Sequence, residues 1–237
     1  SGFAGLSDWR VPTRIEIASI VDLTNTGSAL THALSGTSGY DRTFSLWYET
    51  IAGINNANQG WVYNLTSFND SGLTSNNYAQ TSTASVRCVS GNGSGEGLTQ
   101  LAVEPPNHYT IANGEVTDNY TGLVWQQTFS SSTMAWSAAA SYCSTLGLNG
   151  HTWRVPGLDE IATIVNEARV AGGGQGAVNT TAFPNVPTCG TNWFWAREAD
   201  ANLAGSAWGI NFCDGYTGAN NTASFNMFSA AYVRCVR

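Results

Sequence analysis

One stretch of this chain occurs twice. Residues 8–22 read Asp-Trp-Arg-Val-Pro-Thr-Arg-Ile-Glu-Ile-Ala-Ser-Ile-Val-Asp, and residues 152–166 read Thr-Trp-Arg-Val-Pro-Gly-Leu-Asp-Glu-Ile-Ala-Thr-Ile-Val-Asn. Trp9, Arg10, Val11 and Pro12 match Trp153, Arg154, Val155 and Pro156; Glu16, Ile17, Ile20 and Val21 match Glu160, Ile161, Ile164 and Val165. A match of this length points to two copies of one unit, and it sets the expected domain count before any element is placed.

The stretch has a local logic. A proline biases the residue before it to an extended shape, so Trp-Arg-Val reads as a strand end or loop. Thr13 with Glu16 three positions on is a capping box that starts a helix, a part Gly157 and Glu160 fill less well. Ile17, Ile20 and Val21 fall at i, i+3 and i+4, one apolar face. Each copy therefore predicts strand, sharp turn and short amphipathic helix. Trp is expected in the core beside that helix, and Arg on a carboxylate or on carbonyls.

The 237 residues suit two domains, each able to bury a core. Charged residues are 11% of the chain, and all nine basic residues are Arg. Low charge with abundant Gly, Ser, Thr and Asn suits an extracellular, loop-rich protein. The net charge of −7 argues against nucleic acid, where a basic face supplies most of the affinity. It argues equally against electrostatic binding to anionic membrane or acidic polysaccharide. No run of apolar residues is long enough to span a membrane, and no signal peptide is visible at Ser1, so the chain reads as a processed piece of a longer exported protein.

Residues 1–90 form the first copy, with a helix expected over about 14–23 and strands at 43–48 and 60–65, ending at Val86-Arg87-Cys88-Val89. Residues 91–106 open as a Gly/Ser linker. Residues 107–237 form the second copy, with two strands expected in 115–126, a helix over 133–146, a second helix to about 170, and tail strands at 192–195, 207–212 and 233–236. The second copy has some forty residues before its Trp-Arg-Val-Pro and the first has eight, so the first lacks its N-terminal third.

Five cysteines make an odd count, and none has zinc-site or C-x-x-C spacing. The repeat suggests that Cys143 pairs with Cys235, joining the first helix to the last strand. Cys189 and Cys213 occur only in the second copy and are expected to pair with each other. Cys88 is the equivalent of Cys235, and its partner is expected just upstream of Ser1, so that in this chain it is unpaired or bonded to a separate fragment that carries the missing half. Disulfides imply an oxidising compartment, secreted or on the cell surface.

Thr117-Asp118, Thr121-Gly122-Leu123-Val124-Trp125, then Trp136, Ala139 and Tyr142-Cys143, then Trp153-Arg154-Val155-Pro156 with Glu160-Ile161, and finally Val233-Arg234-Cys235-Val236-Arg237 make a combined signature. It resembles the C-terminal domain of Legionella collagen-like protein and its bacterial surface relatives. The resemblance covers nearly all of 107–237, and 5–90 as a copy lacking its start. It implies an α+β fold, a variant of the C-type lectin-like fold, with short helices packed on small twisted antiparallel sheets, here as two tandem domains. The family's adhesins are associated with sulfated glycosaminoglycans, which call for basic residues. This chain has no Lys and is net acidic, so that ligand is not carried over.

No catalytic order of Ser, His and Asp and no nucleotide loop stands out. His32, His108 and His151 are scattered without metal spacing, and the chain reads as no enzyme. In lectin-like folds the late loops bind ligand. Here they are 196–206 and 214–229, with 49–58 and 67–82 in the first copy. Arg197, Asp200, Asn202, Asp214, Tyr216, Asn220, Asn221 and Asn226 are the candidate ligand-binding residues, since aromatic faces stack on pyranose rings while amides donate and accept. The same Asn-rich loops also read plainly as solvated turns, and Trp193, Trp195 and Trp208 as core rather than platform. No cofactor is expected. Calcium is the usual helper of such lectins, but no stretch spaces carboxylates like a calcium loop.

These readings converge on a non-enzymatic adhesion or recognition module of the bacterial envelope that binds a glycan or a surface protein. Two rivals stand beside it. One is a structural subunit of a filament or matrix, in which a second chain or fragment supplies the missing third of the first copy. The other is a receptor-binding protein with a diversified ligand face over 214–232.

Overall fold

In the computed structural model, the structure describes residues 5–12, 16, 20, 45–51, 59–64, 74–79, 87–91, 100–101, 104, 106–166, 177–187, 193–200, 204–212, 224–226 and 229–237. For 45–51, 59–64, 74–79, 100–101 and 224–226 the description is of the backbone. The helix expected over 14–23 lies almost wholly outside the described residues, as do Cys189 and Cys213.

The described elements are short strands and helices in an α+β arrangement with small, mainly antiparallel sheets. In the second half, Asn113 and Gly114 both take positive φ, 53° and 78°. That is the backbone of a two-residue hairpin turn, and it joins β7 (Tyr109–Ala112) to β8 (Glu115–Asp118) with Ala112 opposite Glu115. β9 (Val124–Gln126) completes this sheet. The sequence reading found two strands here; β7 is a third, and its signal is the Asn-Gly pair.

Helix α1 runs Trp136–Thr145, inside the expected 133–146. Its Ala139 and Cys143, one turn apart, are buried. Gly147, left-handed at φ 57°, follows its C-cap. Helix α2 is Leu158–Thr163, shorter than the reading that carried it to about 170: Ile164 already leaves the helical backbone, residues 164–166 are not helical, and 167–170 are outside the described set. Leu158, Ile161 and Ala162 form its buried face.

Strands β10 (Trp193–Ala199) and β11 (Ser206–Asn211) form a hairpin, with β12 (Ser224–Asn226) on the far side of β11. All six residues of β11 are buried. Side chains alternate across a strand, so β10 feeds two cores: Phe194 and Ala196 pack with Trp125, Ile161 and Phe183, while Trp195 packs with Cys143, Trp153 and Val233. A sheet covered on both faces explains the continuous apolar run Trp193-Phe194-Trp195. Trp195 and Trp208 are core residues, at 0% and 2% exposed.

The C-terminal segment closes the unit. Val236 bridges both Trp125 and Arg154, and Gln126 N donates to Cys235 O at 2.9 Å. Cys143 and Cys235 form a disulfide, tying α1 to this last segment.

The first half follows the same plan where it is described. β1 (Trp9–Arg10) pairs with β5 (Val89–Ser90), Arg10 opposite Val89, as Arg154 stands opposite Val236. β2 (Ser45–Ile51), β3 (Gln59–Asn64) and β4 (Thr74–Ala79) form a sheet in the same neighbour order as β10, β11 and β12. Leu46 faces Tyr63 and Trp47 faces Val62, with an irregularity before Ile51 faces Gly60. Phe194 faces Ile210 and Trp195 faces Gly209, with an irregularity before Ala199 faces Ala207. Gly60–Tyr78 and Trp61–Asn77 in turn correspond to Ala207–Phe225 and Trp208–Ser224. A fourth strand, β6 (Gln100–Leu101), joins β2 in parallel, so the span read as linker adds a strand to the first sheet.

Candidate functional site

The Trp-Arg-Val-Pro motif becomes a polar layer at the start of α2. Arg154 grips Glu160 with both terminal nitrogens at 2.6 Å. Glu160 Oε2 also accepts the Gly157 N–H at 2.7 Å. Burial pushes the Glu160 carboxyl up, but Arg154 and the Gly157 amide more than offset it and leave it below the usual carboxylate range. Gly157 has no side chain with which to cap α2. Glu198 on β10 replaces it, accepting the Leu158 N–H at 2.9 Å. A Cβ at residue 157 would meet the carboxylate ends of Asp159 and Glu198, which would have to shift to admit it. In the first half Arg10 grips Glu16 in the same way, Nη1 to Oε2 at 2.7 Å and Nη2 to Oε1 at 2.5 Å.

Arg197 stands on this layer. Its backbone N–H donates to Pro156 O at 2.9 Å, and Nε reaches Glu198 Oε1 at 2.8 Å with the side chain 55% exposed. β10 extends to Ala199, so Arg197 belongs to a strand and not to the loop expected from 196 onward. Asp200 is 7% exposed and its N–H donates to Ser206 O at 2.8 Å, which makes it a buried anchor of the β10–β11 turn. Asn226 lies on β12, whose backbone alone is described. Asn202, Asp214, Tyr216, Asn220 and Asn221 lie outside the described residues. Of the eight candidates, the side chains of Arg197 and Asp200 are described, Arg197 exposed at the end of β10 and Asp200 buried just after it.

A pocket of about 330 Å³ lies elsewhere, beside β7, lined by Glu104, Asn107, His108, Tyr109, Asn179 and Thr181 among others. The sequence reading left His108 as one of three scattered histidines. In the structure its Nε2 sits 3.3 Å from Asp118 Oδ1 and its Nδ1 3.8 Å from Glu104 Oε1. The imidazole stacks on Tyr109 at 3.9 Å and meets the exposed Tyr120 edge-on. Asp118 is fully buried. Burial raises its pKa, but His108 and the Tyr120 and Thr121 amides outweigh that, and the carboxyl is held below its ordinary value. Those amides belong to the turn after β8, so Asp118 is a turn anchor. Glu104 accepts from the side-chain amides of Asn166 and Asn179 at 2.6 Å each, fastening the segment before β7 to the second half. No sequence spacing links residues 104, 108 and 118 as a set; the hairpin turn at 113–114 brings them together.

Among the described residues no group of three or more His, Cys, Asp and Glu is placed to hold a metal ion. No described helix is long and apolar enough to cross a membrane.

A family model described as the Lcl C-terminal domain matches residues 114–237, which is more than half of the chain. The chain belongs to the Lcl C-terminal domain family. No curated protein and no solved structure shows significant similarity to it. The Lcl C-terminal domain match begins at the Asn113-Gly114 turn and includes α1, the Trp-Arg-Val-Pro layer, the β10–β11 hairpin and both disulfide cysteines. The Cys143–Cys235 bond of this Lcl C-terminal domain agrees with an oxidising location.

Proposed function

We propose that the chain is a non-enzymatic recognition module of the bacterial envelope, built from two copies of one lectin-like unit. It binds carbohydrate or a protein on another surface through the loops at 196–206 and 214–229. Membership of the Lcl C-terminal domain family over residues 114–237 carries this reading. The scaffold supports it. Strand β11 is buried along its whole length and β10 is fixed to α2 by Glu198, so the segments that leave the hairpin start from anchored strands. Duplication is supported by the equal registers of β2–β3–β4 and β10–β11–β12 and by the paired Arg10–Glu16 and Arg154–Glu160 grips. Asn220, Asn221 and Tyr216 supply the amide and aromatic chemistry that sugars need.

A glycan array on the disulfide-bonded protein, run with and without calcium, tests this reading. Selective binding that is lost in Tyr216→Ala or Asn221→Ala is the expected result, and the calcium arm reads whether a cation takes part. A blank array with the protein folded removes carbohydrate and leaves a surface protein as the ligand class. A second reading, a structural subunit completed by another chain, is favoured by one observation: Cys88 is exposed and carries a free thiol.

A further inference from the structure

The pocket beside β7 is built from three pieces of chain: the segment at 104–108, β7 itself and the segment at 179–182. Tyr109 and Ile111, two residues apart, share one face of β7 and both line it. Ala182 is buried beneath it, and Tyr109 is fixed there by an edge-on contact with Phe183 at 5.2 Å. Asn107, Ile111 and Thr181 are exposed at its mouth. Asn107 and Thr181 make their hydrogen bonds through the backbone. Asn107 O accepts from Asn119 Nδ2 at 2.7 Å, and the Thr181 N–H donates to Asn179 Oδ1 at 2.9 Å. Among the described residues that leaves the Asn107 amide and the Thr181 hydroxyl for a ligand. Glu104 carries the one permanent charge among the described lining residues. Its two oxygens accept from the Asn179 and Asn166 amides at 2.6 Å each, and each keeps a further lone pair. His108 Nδ1 stands 3.8 Å from Glu104 Oε1 and makes no hydrogen bond to it. The half-buried carboxylate is thus held by neutral amides, and no Arg lies among the described lining residues.

We propose that this pocket is a binding site for an amino sugar, a single pyranose ring with a free primary ammonium group, and that it is separate from the late loops. Charge selects the ammonium. A carboxylate taken partly out of water without an ion partner favours a cation and repels acidic sugars. The lone pairs left on Glu104 accept an ammonium N–H as a charge-assisted hydrogen bond, stronger than a bond between neutral groups. Size selects the single ring. At about 330 Å³ the cavity lies at the small end of the range for small-molecule sites, with room for one ring and not for an oligosaccharide. The walls select a sugar over a plain alkylamine. The Asn107 amide and the Thr181 hydroxyl both donate and accept, which suits ring hydroxyls, while Ile111 and Ala182 offer apolar surface to the C–H face of the ring. The proposal rests on this pocket and not on what the late loops bind, so an empty glycan array leaves it standing.

The test is an NMR titration of the full chain with glucosamine near neutral pH. It follows the δ-methyl signal of Ile111, assigned by its loss in Ile111→Val, so the readout is local to this pocket. The expected result is a saturable shift with Kd on the order of 1 mM, ordinary for one ring in one pocket. Glucose and N-acetylglucosamine keep the hydroxyls and lack the charge. Both are expected to bind at least about tenfold more weakly, the worth of one hydrogen bond to a charged group. Glu104→Gln is expected to cost glucosamine about the same factor and to leave glucose unchanged. Because Glu104 also fastens Asn166 and Asn179, Thr181→Ala serves as a second variant that keeps those bonds, and it is expected to weaken glucosamine about threefold. No saturable Ile111 shift with glucosamine up to about 100 mM, far above that Kd, would overturn the proposal. So would glucose or N-acetylglucosamine binding as tightly as glucosamine, because the carboxylate would then select nothing.

Discussion

Arg234 is the residue whose environment is least expected from its type. It is fully buried, and three aromatic rings surround its guanidinium, Phe183 at 4.7 Å, Phe129 at 5.8 Å and Phe194 at 5.9 Å. Nη1 donates to Gln126 O at 2.9 Å and also to Gln127 O at 2.5 Å. Burial pulls its pKa down to about 9, which still leaves a cation at neutral pH. Ring faces and carbonyls offset only part of the desolvation, since Nε and Nη2 have no hydrogen-bond partner, and a planar guanidinium uses both kinds of contact together where an ammonium does not. Arg234→Lys is therefore expected to cost about 2 kcal/mol in urea unfolding. The carboxyls give a pH prediction. Asp118, Glu115 and Glu160 all sit below their unfolded values of 3.8, 4.5 and 4.5. A depressed carboxyl stabilises the fold above its unfolded pKa, and that stability is lost as pH falls through the folded pKa. The urea midpoint is expected to hold down to about pH 5 and to drop steeply toward about pH 3, less steeply in Asp118→Asn. A flat profile would show that these contacts do not form in solution. Of this residue-scale picture, a carboxylate or carbonyl partner for Arg10 and Arg154 was legible, while the choice of Glu16 and Glu160 was not named, although both Glu recur at the same spacing from Arg in the two occurrences of the stretch. The Arg234 cage was not, because its rings come from three separate segments.

At the scale of elements, α2 shows how a weak local signal is rescued from a distance. Its six residues follow Gly157, an N-cap that offers no capping side chain, and the missing acceptor for Leu158 comes from Glu198 forty residues on. Glu198→Ala is expected to destabilise the protein by about 1 kcal/mol, the usual worth of a helix cap. Arg197→Ala, which removes only an exposed ion pair, is expected to change stability by less than about 0.5 kcal/mol. Equal losses in thermal melts of the two variants would contradict the capping role. The amphipathic face of α2 and the strands of the β10–β11 hairpin were readable from periodicity and from aromatic runs. β7 escaped because its exposed pattern is irregular, although Asn113-Gly114 marked the turn. The extent of β10 was misjudged because Arg197 and Glu198 look like loop residues; the irregularity between Trp195 and Ala199 lets the strand continue through them.

Across the whole molecule, the repeat governs what was legible. The recurrence of Trp-Arg-Val-Pro and Val-Arg-Cys-Val marked both stretches but not that they meet: β1 pairs with β5, and Arg154 with Val236, which the sequence reading did not foresee. It anticipated a buried Trp in both copies, and here the structure differs: Trp153 is covered by the 107–151 segment, whereas Trp9 is exposed. Tertiary cover, not the motif, decides burial. The candidate ligand residues were far less legible, since Asn and Tyr in loops serve turns as readily as ligands, and of the two whose side chains are described Arg197 is exposed and Asp200 buried. The repeat account makes a covalent claim about all five cysteines that one measurement can decide. Non-reducing peptide mapping of the alkylated full chain is expected to recover Cys143 linked to Cys235, Cys189 linked to Cys213, and Cys88 alkylated. A Cys88–Cys235 link would contradict the equivalence of the two cysteines, and with it the account of two copies of one unit.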